Sequence, residues 1–333
     1  MIVLGIESTA HTFGVGIVKA EVSENNSKSD EGNSDNASCQ VLANEIDSYS
    51  SEDIGMIPDQ IAKHHEDVAE TVLKKAFEKA GVSWEDVDLM AYSAGPGLDP
   101  ALWVGFHKAK AWSKQHEKKL VPVNHCCAHL SIGKVINNAQ DSVYLYVSGV
   151  NTQIIVFDGG KYRVVGETLD LGLGNMLDKF GRLLGLGFPA GAKIEQLAKK
   201  GQFVQLPYVV KGMDVSFSGI LTKCQQLYER KQASEEDLCF SIQETCFAML
   251  TEVVERALAH TDKKELILVG GVGANKRFCE MLEIMCKARG AKFYNVPISL
   301  AGDQGAMIAW EGYLRKDDML EMEVNPHWRA DEV

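Results

Sequence analysis

One order of elements is written into this chain twice, and that repetition limits its fold more than any single residue does. Residues 2–6, 14–20 and 40–46 read as three strands, the first two joined by the hydroxyl-rich loop Glu7-Ser8-Thr9-Ala10-His11-Thr12. Residues 143–148, 153–157 and 162–168 repeat the layout, with Ser148-Gly149-Val150-Asn151-Thr152 as the joining loop. Short apolar runs bounded by Gly, Asn and Ser are strand signals. Helical stretches follow each triplet, and the similarity is one of pattern rather than of residues. The expected fold is α/β with two duplicated lobes around a central nucleotide cleft. Residues 1–139 make the first lobe, with a C-terminal helix over 303–333 packing back on it; residues 140–302 make the second.

A chain of 333 residues, 45% apolar, is long enough for two such domains. No apolar run reaches membrane-span length, and Glu7 arrives too early for a signal peptide. Eight scattered cysteines without a Cys-x-x-Cys pair fit a reducing cytoplasm. A net charge of −12 argues against non-specific nucleic-acid binding by the whole surface, so an RNA substrate needs a local basic patch or a basic partner. Residues 105–120 supply a candidate patch, a basic helix with Lys108, Lys110, Lys114, Lys118 and Lys119. A polar stretch at 21–38 reads as a hairpin tip with no core role.

The chemistry-bearing stretch is Val123-Asn124-His125-Cys126-Cys127-Ala128-His129. On a helix His125 and His129 lie one turn apart on one face, a spacing that suits a single metal ion. The strand at 120–123 places them just past a strand end, where open α/β sheets hold ligands. Asp303, before the last long helix, reads either as its N-cap or as a metal-binding carboxylate. His64 and His65 are adjacent on a helix over 59–80 and do not face one ion. Gly270-Gly271-Val272-Gly273-Ala274-Asn275 follows a strand and opens a helix, a phosphate- or nucleotide-approach arrangement, yet Lys276 stands where a dinucleotide fingerprint has its third glycine. No Walker sequence is present.

Two such halves describe the actin-like ATPases and sugar kinases, and the motifs taken in order go further. Gly5-Ile6-Glu7-Ser8-Thr9-Ala10-His11-Thr12, Ala94-Gly95-Pro96-Gly97-Leu98, Asn124-His125-Cys126-Cys127-Ala128-His129, Tyr146-Val147-Ser148-Gly149-Val150-Asn151-Thr152-Gln153, Asn175-Met176-Leu177-Asp178-Lys179-Phe180, Gly270 to Asn275 and Asp303-Gln304-Gly305-Ala306-Met307 together resemble the archaeal and eukaryotic tRNA N6-adenosine threonylcarbamoyltransferase family, the catalytic subunit of KEOPS assemblies, once labelled an O-sialoglycoprotein endopeptidase. The resemblance implies an actin-like (ASKHA) fold. It implies one divalent metal, iron or zinc, on His125, His129 and Asp303, with Tyr146 able to join. It implies an adenine nucleotide, threonylcarbamoyl-AMP or ATP, at Tyr146, Val147, Ser148, Gly149, Val150, Asp178, Gly191, Glu195 and Asn275. The implied reaction moves the threonylcarbamoyl group to N6 of the adenine 3′ of the anticodon. The implied partners are tRNA, a small kinase-like protein, a dimerising subunit and a regulatory subunit. Val150 and Gln304 depart from the family's usual residues.

No residue presents itself as a general base. The alternatives in the same fold are a small-molecule kinase, which leaves the histidines and Asp303 without a role, and an inactive ATP-binding scaffold. A metallopeptidase needs His-Glu-x-x-His, and Cys126 occupies the glutamate's place.

Overall fold

The computed structural model describes residues 1–22, 37–50 and 57–333. Most of the polar stretch at 21–38 lies outside these residues. The chain divides into two compact units, 1–136 with 303–333, and 137–302.

The first unit is built on a five-stranded sheet of order β3-β2-β1-β4-β5. Its strands are β1 (Ile2–Glu7), β2 (Thr12–Val22), β3 (Ala37–Ser48), β4 (Leu89–Gly95) and β5 (Lys119–Asn124). β1, β2 and β3 pair antiparallel, whereas β4 and β5 join β1 in parallel, so Glu7, Gly95 and Asn124 end their strands along one edge. Helix α1 (Pro58–Ala80) starts with Pro at its first turn and stops at Gly81, whose left-handed φ of 66° lets its N–H return to Phe77. Its buried face runs Ile61, His65, Ala69, Val72, Leu73 and Ala76, the spacing of one helical stripe. α2 (Asp99–Gln115) bridges β4 and β5, and α3 (His125–Ile136) leaves the end of β5 directly.

The second unit repeats the plan. β6 (Ser142–Val147), β7 (Thr152–Asp158) and β8 (Lys161–Glu167) pair antiparallel; β11 (Glu265–Val269) and β12 (Lys292–Asn295) add in parallel, in the order β12-β11-β6-β7-β8. Between β8 and β11 come α4 (Leu173–Leu183), α5 (Gly191–Ala198), the short pair β9 (Val210–Lys211) and β10 (Asp214–Val215), α6 (Ser218–Glu229) and α7 (Glu235–Thr261). A 3-10 turn over Gly271–Ala274 and α8 (Lys276–Ala288) link β11 to β12; α9 (Ile298–Ala301) follows β12. Each unit has its own apolar core, around Phe13, Tyr92 and Trp328 in the first and around Phe180, Phe247 and Phe278 in the second.

α10 (Gly305–Leu314) returns the chain to the first unit and lies backbone to backbone on β1 and β2. A methyl at Gly16 would stand 2.0 Å from the Ala306 nitrogen and one at Gly5 2.2 Å from that of Ala309, so only glycine permits the approach. That packing fixes Asp303 two residues ahead of the helix.

Three expectations change. The C-terminal helix ends at Leu314, and residues beyond it are turns with a 3-10 segment at Ala330–Glu332. Asp317, Asp318 and Pro326 oppose continuation, the acids because they sit at the negative end of the helix dipole. The basic helix stops at Gln115, placing Lys118 in a turn and Lys119 in β5. Asp303 does not cap α10: Gln304 does, accepting the Met307 N–H. No helix among the described residues is long and apolar enough to cross a membrane.

Candidate functional site

The first unit gathers its charges at the edge where β1 and β5 end. His125 begins α3 and His129 sits one turn later, 5% and 1% exposed. Both Nε2 atoms face one oxygen of Asp303, Oδ1, at 3.5 and 3.3 Å. Single donor atoms of the three residues lie within 4.8 Å of one another. Two donors each ~2.1 Å from a shared ion at a tetrahedral angle stand roughly 3.4 Å apart, so both histidine–Asp303 spacings suit a shared metal. α3 and α10 pack together, which brings a ligand from each end of the sequence to one point.

Behind His125 stands a residue to which the sequence gave no role. Glu7 is fully buried at the end of β1, and its Oε2 is 2.9 Å from His125 Nδ1. Thr9 donates its backbone N–H to Glu7 Oε1 at 2.7 Å and places its hydroxyl 3.2 Å from the same Nδ1. A proton on Nδ1 is thus held toward the carboxylate, and Nε2 is turned toward Asp303. Carboxylate–histidine pairs of this kind orient and strengthen metal ligands. One signal was in the sequence: a carboxylate closing an otherwise apolar strand is a buried charge in need of a partner.

Burial works against a charged His125, yet Glu7 and Asp303 outweigh it and hold its pKa up to about 9. Burial pushes His129 down despite its bond to Asp303. Asp303 is itself held below its ordinary value, because the two imidazoles outweigh its burial. The site thus sets two acidic side chains beside two imidazoles, a donor set suited to a divalent cation that displaces the proton of His125.

The other expected residues belong to the second unit. Tyr146 and Val147 are fully buried in β6. Ser148 to Asn151 turn the β6–β7 hairpin, Ser148 N–H bonding Asn151 O at 2.8 Å, with Gly149 and Val150 exposed at the tip. Asp178, on α4, accepts the Ala190 N–H at 2.8 Å beside Gly191, the first residue of α5. Glu195 on α5 accepts the Lys276 N–H at 3.0 Å, and Asn275 accepts that of Phe278 at 3.1 Å while donating to the buried Gln243 at 2.6 Å. Two N–H groups in the first turn of α8 are thus already taken, one by a carboxylate. Those two N–H groups are not open to a phosphate, and the glycines ahead of them keep the expected phosphate- or nucleotide-approach arrangement. Gln243 has no motif around it and was not legible.

The expected RNA-facing lysines are partly engaged. Lys108 pairs with Glu70 at 3.2 Å, and Lys110 with Glu323 at 3.6 Å while lying over the Phe106 ring.

Comparison with known proteins converges on one reaction. The family model described as TsaD, tRNA N6-adenosine threonylcarbamoyltransferase, matches residues 40–310. A curated protein of that name from Thermococcus kodakarensis is 51% identical over 94% of this chain and 90% of its own length. A "Probable bifunctional tRNA threonylcarbamoyladenosine biosynthesis protein" from Methanococcus vannielii is 44% identical over 100% of this chain, which spans 58% of it. Among solved structures, HypF of Thermococcus kodakarensis superposes with a TM-score of 0.61 at 15% identity, over 95% of this chain and 48% of that one. This last likeness concerns the fold alone, which is the actin-like ATPase fold. On its family model and its close relatives together, the chain belongs to the tRNA N6-adenosine threonylcarbamoyltransferase family.

Proposed function

We infer that this chain is the transferase that moves a threonylcarbamoyl group from threonylcarbamoyl-AMP to N6 of the adenine 3′ of the anticodon, in tRNAs reading codons that start with A. Family membership supports the reaction, and one observation carries the site: Asp303 converges with two buried histidines, His125 and His129, on one point. In the reaction the N6 lone pair attacks the carbamoyl carbon, the bond to the phosphate oxygen breaks, AMP leaves, and N6 gives up a proton. A divalent metal held by the three residues would supply Lewis acidity to the carbonyl oxygen. Nitrogen and oxygen donors suit iron or zinc. Glu7 keeps the His125 lone pair turned toward the ion, and Asp303 offsets the cation's charge.

In this reading the exposed tip of the Tyr146–Val150 strand and hairpin approaches the phosphate with backbone N–H groups. Asp178, Gly191, Glu195 and Asn275 shape the adenosine site: Glu195 commits Oε1 to α8 and offers Oε2 to a ribose hydroxyl. The longer bifunctional relatives support a second protein acting beside this one, and we propose KEOPS-type partners, namely a small kinase-like protein, a dimerising subunit and a regulatory subunit. Among the described residues no cysteines are joined in a disulfide, which supports work in the reducing cytoplasm. A small-molecule kinase in the same fold would leave the buried cluster idle.

The test is transfer in a purified system. The chain, with its partners, is given threonylcarbamoyl-AMP and unmodified tRNA, and the modified nucleoside is measured by mass spectrometry. Product with the wild type and none with His129→Ala is expected. Equal product from both would remove the metal site from the mechanism.

A further inference from the structure

We propose that the C-terminal segment, residues 322–333, is a positioning strap for His125 and acts through Asn124; this rests on the metal reading above. His125 is the first residue of α3. First-turn residues lack intrahelical partners for their N–H groups and fray first, so a metal ligand there needs restraint from outside the helix. Asn124 provides it in two directions. Its Oδ1 accepts the Cys127 N–H at 3.1 Å, capping α3, while its Nδ2 donates to the carbonyls of Trp328 at 3.0 Å and Arg329 at 3.3 Å. The side chain is 2% exposed, so no water can replace these partners while the strap is in place.

The strap is itself anchored. Asn325 N–H bonds Ala94 O, near the end of β4, at 2.7 Å, and Pro326 O accepts the N–H of Gly97, just past that end, at 3.2 Å. Trp328 is 5% exposed, within the apolar core of this unit. The Cys127 thiol faces Ala330 O at 3.8 Å, a second touch on the first turn of α3. The segment therefore grips the end of β4 and the start of the histidine helix at once. His129, a turn deeper and 1% exposed, depends on it less.

Two variants of the full chain separate this role from plain stability. Asn124→Ser keeps an oxygen able to cap α3 but loses both donors to the strap; a truncation after Glu321 removes the strap. Binding of Co²⁺ alone is followed by its visible absorption, which reports ligand geometry, beside circular dichroism and melting. The expected result is at least tenfold weaker Co²⁺ binding and an altered band for both variants, with helix content kept in Asn124→Ser, and recovery of the truncated chain by a synthetic 322–333 peptide. Where the truncated chain does not fold, Asn124→Ser alone decides. A lower melting temperature with unchanged Co²⁺ affinity and band would make the strap merely structural and overturn the proposal. Failure of the wild type to bind Co²⁺ would sink the metal reading, and the positioning role with it.

Discussion

The two units share a strand order but not the chemistry placed at the edge of the sheet. In the first, Glu7, His125 and, from just ahead of α10, Asp303 gather at the strand ends, all ionisable and the first two buried. In the second, the corresponding last residue of β6 is Val147, the glycines of Gly270–Gly273 follow β11, and the polar groups are Asn275, Gln243 and Asn295. One topology thus carries two differently furnished edges, and in the proposed reading the first takes the electrophile and the second the nucleoside. The loops decide which, because the sheet fixes only where they begin. The largest test of this division is His129→Ala. Losing one of three ligands is expected to lower transfer about a thousandfold, some 4 kcal/mol of transition-state stabilisation, with metal content falling and the far-ultraviolet spectrum unchanged.

Acid should also find the first unit before the second. His65, buried against Phe13, bonds Ala10 O at 2.9 Å. Burial, opposed by that carbonyl and helped by His64 and His11, lowers its pKa from 6.5 to about 4. Between these values the unfolded chain takes up a proton that the folded chain refuses. Stability is therefore full above pH 6.5 and falls as the pH drops toward 4, by up to about 3 kcal/mol from this residue. Urea midpoints across that window would show it, and His65→Gln, which can still donate to Ala10 O, should flatten the slope. An unchanged slope would place the acid sensitivity elsewhere.

How far the molecule could be read in advance follows the same division. The repeated strand triplets were visible because β-strand alternation and turn residues are local signals, and the helix with Pro58 and Gly81 announced both its ends. His125 and His129 were visible because their spacing is helical. The partnership of Glu7 with His125 was not, since it joins the end of β1 to the start of α3 across the sheet. The cap at Gln304 rather than Asp303 is a one-residue shift of backbone that no pattern fixes. The strand β12 was too short to stand out, and the bond from Lys276 N–H to Glu195 was hidden because Glu195 comes from a distant helix. Glu7→Gln sharpens the point: it keeps the shape but removes the charge behind His125, and metal affinity should fall ten- to a hundredfold, measured by competition with a chelator. Unaltered affinity would reduce Glu7 to a packing residue.

The smallest effect is expected at the amide-lined edge. Asn275→Ala removes the cap of α8 and the donor to Gln243, leaving a buried amide oxygen without its partner. Losing a cap costs about 1 kcal/mol, and an unsatisfied buried acceptor adds a comparable amount. Asn275→Asp retains the cap but turns an oxygen toward Gln243, whose amide can flip to donate, so it should recover part of the loss. Both variants should raise the KM for threonylcarbamoyl-AMP a few-fold and leave kcat nearly intact, since neither touches the carbonyl under attack. A thousandfold loss of kcat in Asn275→Ala would break the comparison: the second unit would then take part in the chemical step, and a single edge could no longer be assigned the electrophile.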